Sequence, residues 1–179
     1  MDDEIAVAQA ASQLIQADTP EEKAEVVDHW IGTLLSPFAV LFMQHAVKKG
    51  MGDPIVASRM EQCLRFVQNT RRYHGTAGAV AEEHRVMEET IRAGLVFMDA
   101  PPRSARQVLE QHRHLLLTHY GINALKVLLQ ETASRHLQGM ETDPVRLRIH
   151  ALKYKFLHES FVENIAKAER SYLQAIDAL

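Results

Sequence analysis

The chain has one cysteine in 179 residues, Cys63, so no disulfide can form within it and stability has to come from buried apolar surface. A chain of this length can supply that, as one domain or as two small halves that share a core. No apolar run approaches the roughly 18 residues that a membrane span requires. The opening MDDEIAVAQAA is acidic where a secretory leader carries a positive segment, and the expected address is the cytoplasm. A net charge of -3 argues against broad nucleic-acid binding, because neutralising phosphates takes a clustered basic face. Strand signals are missing too, since β-branched residues never alternate over a useful length.

What is present is helical and duplicated. The stretch TPEEKAEVVDHWIGTLLSPFAVL at 19–41 returns in weaker form as PPRSARQVLEQHRHLLLTHYGIN at 101–123. An offset of 82 pairs Pro20 with Pro102, Val27 with Leu109, Asp28 with Glu110, and Leu34-Leu35-Ser36 with Leu116-Leu117-Thr118. It also pairs Phe38 with Tyr120, Val40 with Ile122 and Met43 with Leu125. A repeat of this kind implies stacked units whose function is a surface. The expected fold is all-α: eight or nine helices in two tandem units, 1–98 and 99–179, stacked right-handedly as a short α-solenoid or bundle within one continuous domain.

The helix ends carry local signals. Thr19-Pro20-Glu21-Glu22 is a capping box with proline at the first helical position. Ser36-Pro37 and Asp53-Pro54 repeat the device, and Ser160 with Glu163 suggests another capping box. Expected helices span 3–16, 20–33, 37–49, 54–73, a fifth from after the break at His74-Gly75-Thr76 to about 98, then 102–115, 118–137, 144–157 and 160–178. The turns Gly50-Met51-Gly52-Asp53-Pro54 and Gly139-Met140-Glu141-Thr142-Asp143-Pro144 correspond at an offset of 89, so the helix before the second has gained seven residues. Apolar periodicity assigns Ile5, Ala8, Ala11 or Ser12, and Ile15 to the inner side of the first helix. It assigns Phe38, Leu41, Phe42 and His45 to the third, and Val80, His84, Met87, Ile91, Leu95 and Met98 to the fifth.

These motifs are similar to the degenerate helical repeats that accompany CHAT-type, caspase-like domains in bacteria. Leu34-Leu35-Ser36, Lys49-Gly50 with Asp53, and Arg71-Arg72 match that pattern in the first unit, as do Leu116-Leu117-Thr118 with Gly139 and Asp143 in the second. The resemblance implies a tetratricopeptide-like interaction scaffold standing alone. No region is left over for a caspase-like catalytic domain, and the arginine pair has no counterpart at the end of the helix that begins at Pro144.

Chemical motifs are sparse. No Glu-x-x-His pair of the di-iron kind occurs, nor the His-Glu-x-x-His of zinc hydrolases. Asp28-His29 reverses the His-Asp order of helical phosphohydrolases, and Gly75 and Gly78 flank Thr76-Ala77 without the lysine of a phosphate loop. Neither a metal nor a cofactor is expected. His45, His84 and His112 sit on apolar stripes and are expected as core histidines, and Cys63 as a buried, inert thiol. Charge is uneven: residues 1–35 hold eight acids against Lys23, whereas 144–158 hold Arg146, Arg148, Lys153 and Lys155 and no acid. These four bases, extended by Arg71 and Arg72, are the candidate surface for an acidic segment of another protein or of a second copy. The sequence thus favours a non-enzymatic protein-binding scaffold. Its rival is a helical enzyme or small-ligand binder with a pocket between the units lined by His45, His84, Met87, His112 and Tyr120.

Overall fold

A computed structural model describes residues 2–49, 53–139 and 143–179. The protein is all-α: among these residues there are eleven α-helices, one 3-10 turn and no strand. It packs as two compact units, Met1–Val86 and Met87–Leu179.

The first unit contains α1 (Asp2–Gln16), α2 (Pro20–His29), α3 (Ile31–Leu34), α4 (Pro37–Lys49), α5 (Pro54–Arg72) and the start of α6 (Thr76–Asp99). In the second, the end of α6 leads to a 3-10 turn at Pro102–Ser104. Then come α7 (Ala105–Gln111), α8 (Arg113–Leu116), α9 (His119–Leu137), α10 (Pro144–Val162) and α11 (Ile165–Asp177). The sequence places the division after Met98, whereas packing divides the chain inside α6. The reason is that Ala79 belongs to the first core, while Ala93, Phe97 and Met98 belong to the second.

The caps form as the local sequence dictates. Thr19 Oγ1 accepts from Glu22 N at 3.1 Å, and Glu22 Oε2 accepts in return from Thr19 N at 3.3 Å. Ser36 Oγ accepts from Ala39 N at 3.1 Å and donates to Thr33 O at 2.7 Å. At the matching joint Thr118 Oγ1 accepts from Gly121 N at 3.1 Å and donates to Leu115 O at 2.6 Å. Asp53 and Asp143 cap α5 and α10 through Ile55 N and Val145 N at 2.8 and 2.9 Å. The glycine turns themselves, 50–52 and 140–142, lie outside the described residues. Ser160 does not begin a helix: α10 runs on to Val162, and Asn164 caps α11 by accepting from Ala166 N at 2.8 Å.

Two helices that the sequence draws as continuous are broken, at Trp30 and at His112, and this turns nine expected helices into eleven. The two break residues are 82 apart and take nearly the same backbone angles, φ -105 and ψ 27 against φ -106 and ψ 21. Residues paired by that offset are buried alike: Val27 with Leu109, Leu34 with Leu116, and Met43 with Leu125. From Asp53 and Asp143 onward the offset is 90, and it pairs Met60 with His150, Cys63 with Lys153, Phe66 with Phe156 and Val67 with Leu157, every one buried. Helix α9 has 19 residues where α4 has 13, close to the seven-residue extension expected from sequence.

Several inner faces differ from the periodicity reading. Helix α1 buries Val7, Ala10, Ala11 and Leu14 and leaves Ile5, Ala8 and Ser12 exposed. Helix α4 buries Ala39 and Met43 rather than Phe38, Leu41 and His45. Helix α6 buries Ala79, Glu83, Thr90, Ala93 and Phe97, while His84, Ile91 and Leu95 stay in water. On α4 and α6 the buried side contains Ala39, Ala79 and Ala93, small residues that let helix backbones come together. At Gly94 a Cβ would lie 3.1 Å from a methyl of Leu125 and 3.3 Å from one of Leu128, so there α6 meets α9 with little room for a side chain.

Candidate functional site

Among the described residues, buried lysine and carboxylate side chains lie in two places, Lys23 with Glu83 in unit 1 and Lys153 in unit 2. In unit 1 the Lys23 ammonium donates to Glu83 Oε1 in a short ion pair with both side chains buried. Burial pushes the Glu83 carboxyl up, against the opposing pull of Lys23, and Glu83 Oε2 is buried without a hydrogen-bond partner. Beside it on α5, Cys63 is buried as expected and its thiol donates to Leu14 O at 3.3 Å. Burial raises that thiol to about 11, so it is not a nucleophile at neutral pH.

In unit 2 the position matching Cys63 holds Lys153, which corrects the sequence reading. Lys153 is not on a solvated basic face; it is 1% exposed. Its ammonium donates to Phe97 O at 3.0 Å, to Met98 O at 2.6 Å and to Ala100 O. Those carbonyls end α6, where a helix leaves acceptors unsatisfied and carries partial negative charge, so the lysine acts as a C-terminal cap delivered from α10. The equivalence was available in the sequence: aligning Asp53-Pro54 with Asp143-Pro144 sets Lys153 on Cys63. Desolvation lowers Lys153 to about 8, opposed by Asp99.

That shift predicts a pH dependence. Between about 8 and the unfolded value of 10.5 the unfolded chain holds the proton and the folded chain does not, so this group's contribution to stability rises with pH across the window. It is lost as pH falls through 8. Cys63 and Tyr172, raised to about 11 and about 12, act oppositely at higher pH, so the comparison needs a reference chain. Denaturant melts of the parent and Lys153→Met should diverge in the parent's favour from pH 7.5 to 9.5, by at most about 1.4 kcal/mol per pH unit. A pH-independent difference would refute the assignment.

Unit 2 also holds a cleft of about 220 Å³ between the end of α6, α9 and α10. Leu95, Met98 and Leu128 line its apolar part. Arg146 Nη2 approaches Asp99 Oδ1 at 3.5 Å on one rim, and Arg135 Nη2 donates to Glu131 Oε1 at 2.7 Å on another. His150 is in the wall, 6% exposed, with Nδ1 3.3 Å from Thr132 Oγ1; that hydroxyl donates to Leu128 O at 2.9 Å, so it accepts from the ring. Sequence reading found Arg146 here but not the others, because the cleft draws its lining from three helices.

The other bases proposed from sequence are on the surface. Arg71 and Arg72 are exposed at the end of α5, the Arg72 guanidinium lying 5.5 Å from the centre of the Tyr73 ring. Arg148 is exposed, and exposed Lys155 pairs with Glu159 at 3.6 Å. The histidines expected in the core are not there: His45 and His84 are exposed, and His112 is half-buried at the break between α7 and α8. His84 Nε2 meets Glu21 Oε1 at 2.7 Å and holds that carboxyl below its usual range. Met87 and Tyr120 are half-buried, and neither lines the cleft of unit 2. Among the described residues no three histidine, cysteine or acidic side chains are grouped to hold a metal ion, and no helix is long and apolar enough to cross a membrane. The chain matches no protein-family model, no curated protein and no solved structure.

Proposed function

We propose that this chain is a non-enzymatic scaffold, made of two copies of one helical unit, that binds another protein in the cytoplasm. The observation that carries the reading is apolar surface left in water in unit 1. Ile31 is 50% exposed, Phe38 43% and Leu41 63%, and the last two stand on one face of α4 at i and i+3. Single exposed apolar side chains are ordinary, but a stripe of them at helical spacing is what a partner helix covers. Exposed Arg71, Arg72, Arg146, Arg148 and Lys155 favour a partner with an acidic segment, and the acidic residues of 1–35 make a second copy a competing occupant. This role fits the tetratricopeptide-like scaffold that the resemblance to CHAT-associated bacterial repeats implies.

Phe38→Ser with Leu41→Lys tests it, because both positions are exposed and the pair should cost little stability, within about 0.5 kcal/mol per site. Cross-linking in native cells followed by mass spectrometry should show partner peptides on α4 in the parent and lose them in the variant. Reversal of Arg148 and Lys155, which lie outside the cleft of unit 2, to glutamate should slow association at low salt and have little effect at high salt, since the Debye length is about 8 Å at physiological ionic strength. Lys153 is left out of the set because it is buried. An unchanged cross-link map in both variants would reject the scaffold reading.

A further inference from the structure

The cleft of unit 2 is independent of the exposed stripe on α4, and its chemistry points to a small molecule. At about 220 Å³ it is smaller than the roughly 300 Å³ at which pockets for drug-sized ligands begin, so its occupant is small. Its floor is apolar, built from Leu95, Met98 and Leu128. Its charged groups include two guanidiniums and two carboxylates, which meet as the pairs Arg146–Asp99 and Arg135–Glu131.

This balance discriminates among ligands. A phosphate dianion near either arginine would also face that arginine's carboxylate. A plain carboxylate satisfies a guanidinium but sets its charge beside Asp99 or Glu131, and a plain amine has the converse difficulty. A molecule carrying both charges exchanges with an ion pair group for group. The exchange costs little, because all four side chains are more than half exposed and surface pairs of this kind contribute little to stability. The Arg146–Asp99 pair, at 3.5 Å, is the looser one and the natural point of entry.

We propose that this cleft binds a small zwitterion with an apolar body, the chemistry of a free α-amino acid with an aliphatic side chain. The carboxylate meets Arg146, the ammonium meets Asp99 across the same rim, and the side chain lies on Leu95 and Leu128. Buried His150 and half-buried Thr132 set a polar wall beside this floor.

The experiment uses the full chain, labelled with ¹⁵N, titrated with four probes: L-leucine, hexanoate, pentylamine and L-aspartate. L-Leucine should shift amide resonances of α9, α10 and the second half of α6 saturably. Hexanoate and pentylamine, each lacking one charge, should bind about tenfold more weakly, and L-aspartate, lacking the apolar body, weaker still. Arg146→Ala and Leu95→Glu alter exposed positions, so each should keep the parent's circular dichroism melt, and each should weaken L-leucine by at least about tenfold. No saturable shift by L-leucine, hexanoate binding as tightly as L-leucine, or L-leucine binding unchanged in both variants would each overturn the proposal. None of these outcomes bears on the protein-binding role of α4, which the cross-link map reads separately.

Discussion

Lys23→Met should destabilise the first unit by about 3 to 5 kcal/mol at neutral pH, a large share of what holds a small domain together. The size follows from what stays behind. Glu83 is buried with one oxygen on Lys23 and the other without a partner, and removing the ammonium leaves a desolvated carboxylate with only Arg65 and His84 acting on it from a distance. Glu83 already sits above the normal carboxylate range because of burial, and losing Lys23 raises it further. A folded-state value above the unfolded one favours folding at low pH, and that advantage is lost as pH rises through the folded value. The variant should therefore lose less stability at about pH 5 than at about pH 8. Denaturant melts at both values provide the check. The double variant Lys23→Met with Glu83→Leu should recover most of the loss, since replacing a buried ion pair by apolar residues is often neutral or better. A single variant within about 0.5 kcal/mol of the parent would mean that the pair is solvated rather than buried. In the second unit the 82-residue offset puts Ala105 at the position of Lys23, and nearby Tyr172 stacks on Phe156 at 4.9 Å between ring centres and donates to Pro102 O at 3.1 Å.

The second large effect belongs to the joints. Leu34 and Leu116 are fully buried, each at the end of a short helix and two residues before the hydroxyl that caps the next. Truncating either to alanine should cost about 2 to 5 kcal/mol, from lost apolar transfer plus the cavity that the surrounding side chains fail to fill. The short helices α3 and α8, four residues each, have almost no stability of their own, so packing fixes them, and Leu34 and Leu116 are the fully buried side chains of that packing. Equilibrium melts of the two single variants would measure it. A loss below about 0.5 kcal/mol at either position would show that the joint is not packed as described.

How legible these sites were depends on the range of the interactions that make them. The caps at Thr19, Ser36 and Asp53 involve hydrogen bonds between residues two or three apart and were readable because donor and acceptor lie within one turn; Thr118 and Asp143 cap at the matching positions, whereas the expected box at Ser160 did not form. The helical class followed from the same local signals. The 82-residue offset was readable too, and the breaks at Trp30 and His112 fall on it, yet neither break was expected. Nothing local marks Trp30 or His112 as a stop; their backbone angles are imposed by seating Val27 and Leu34, or Leu109 and Leu116, in one core from two short helices.

The choice of face was made by tertiary packing alone. On α4 two adjacent stripes are both apolar, and on α6 the buried stripe carries Glu83 and Thr90 beside a more apolar exposed one, so a period of 3.6 residues does not say which turns inward. Close approach favours the stripe with Ala39, Ala79 and Ala93, and sends Phe38, Leu41, Ile91 and Leu95 to the surface, where they become candidate binding groups. Lys153 went the other way, inward, because the carbonyls that end α6 offer a fully buried ammonium the hydrogen bonds that water would otherwise supply. Sequence by itself determined that the chain is helical, where most helices begin, and which positions recur, since these rest on contacts within a turn or on simple periodicity. Which apolar stripe is core, which base is buried, and that Arg135, Arg146 and His150 share one cleft were decided only when helices distant in sequence came together.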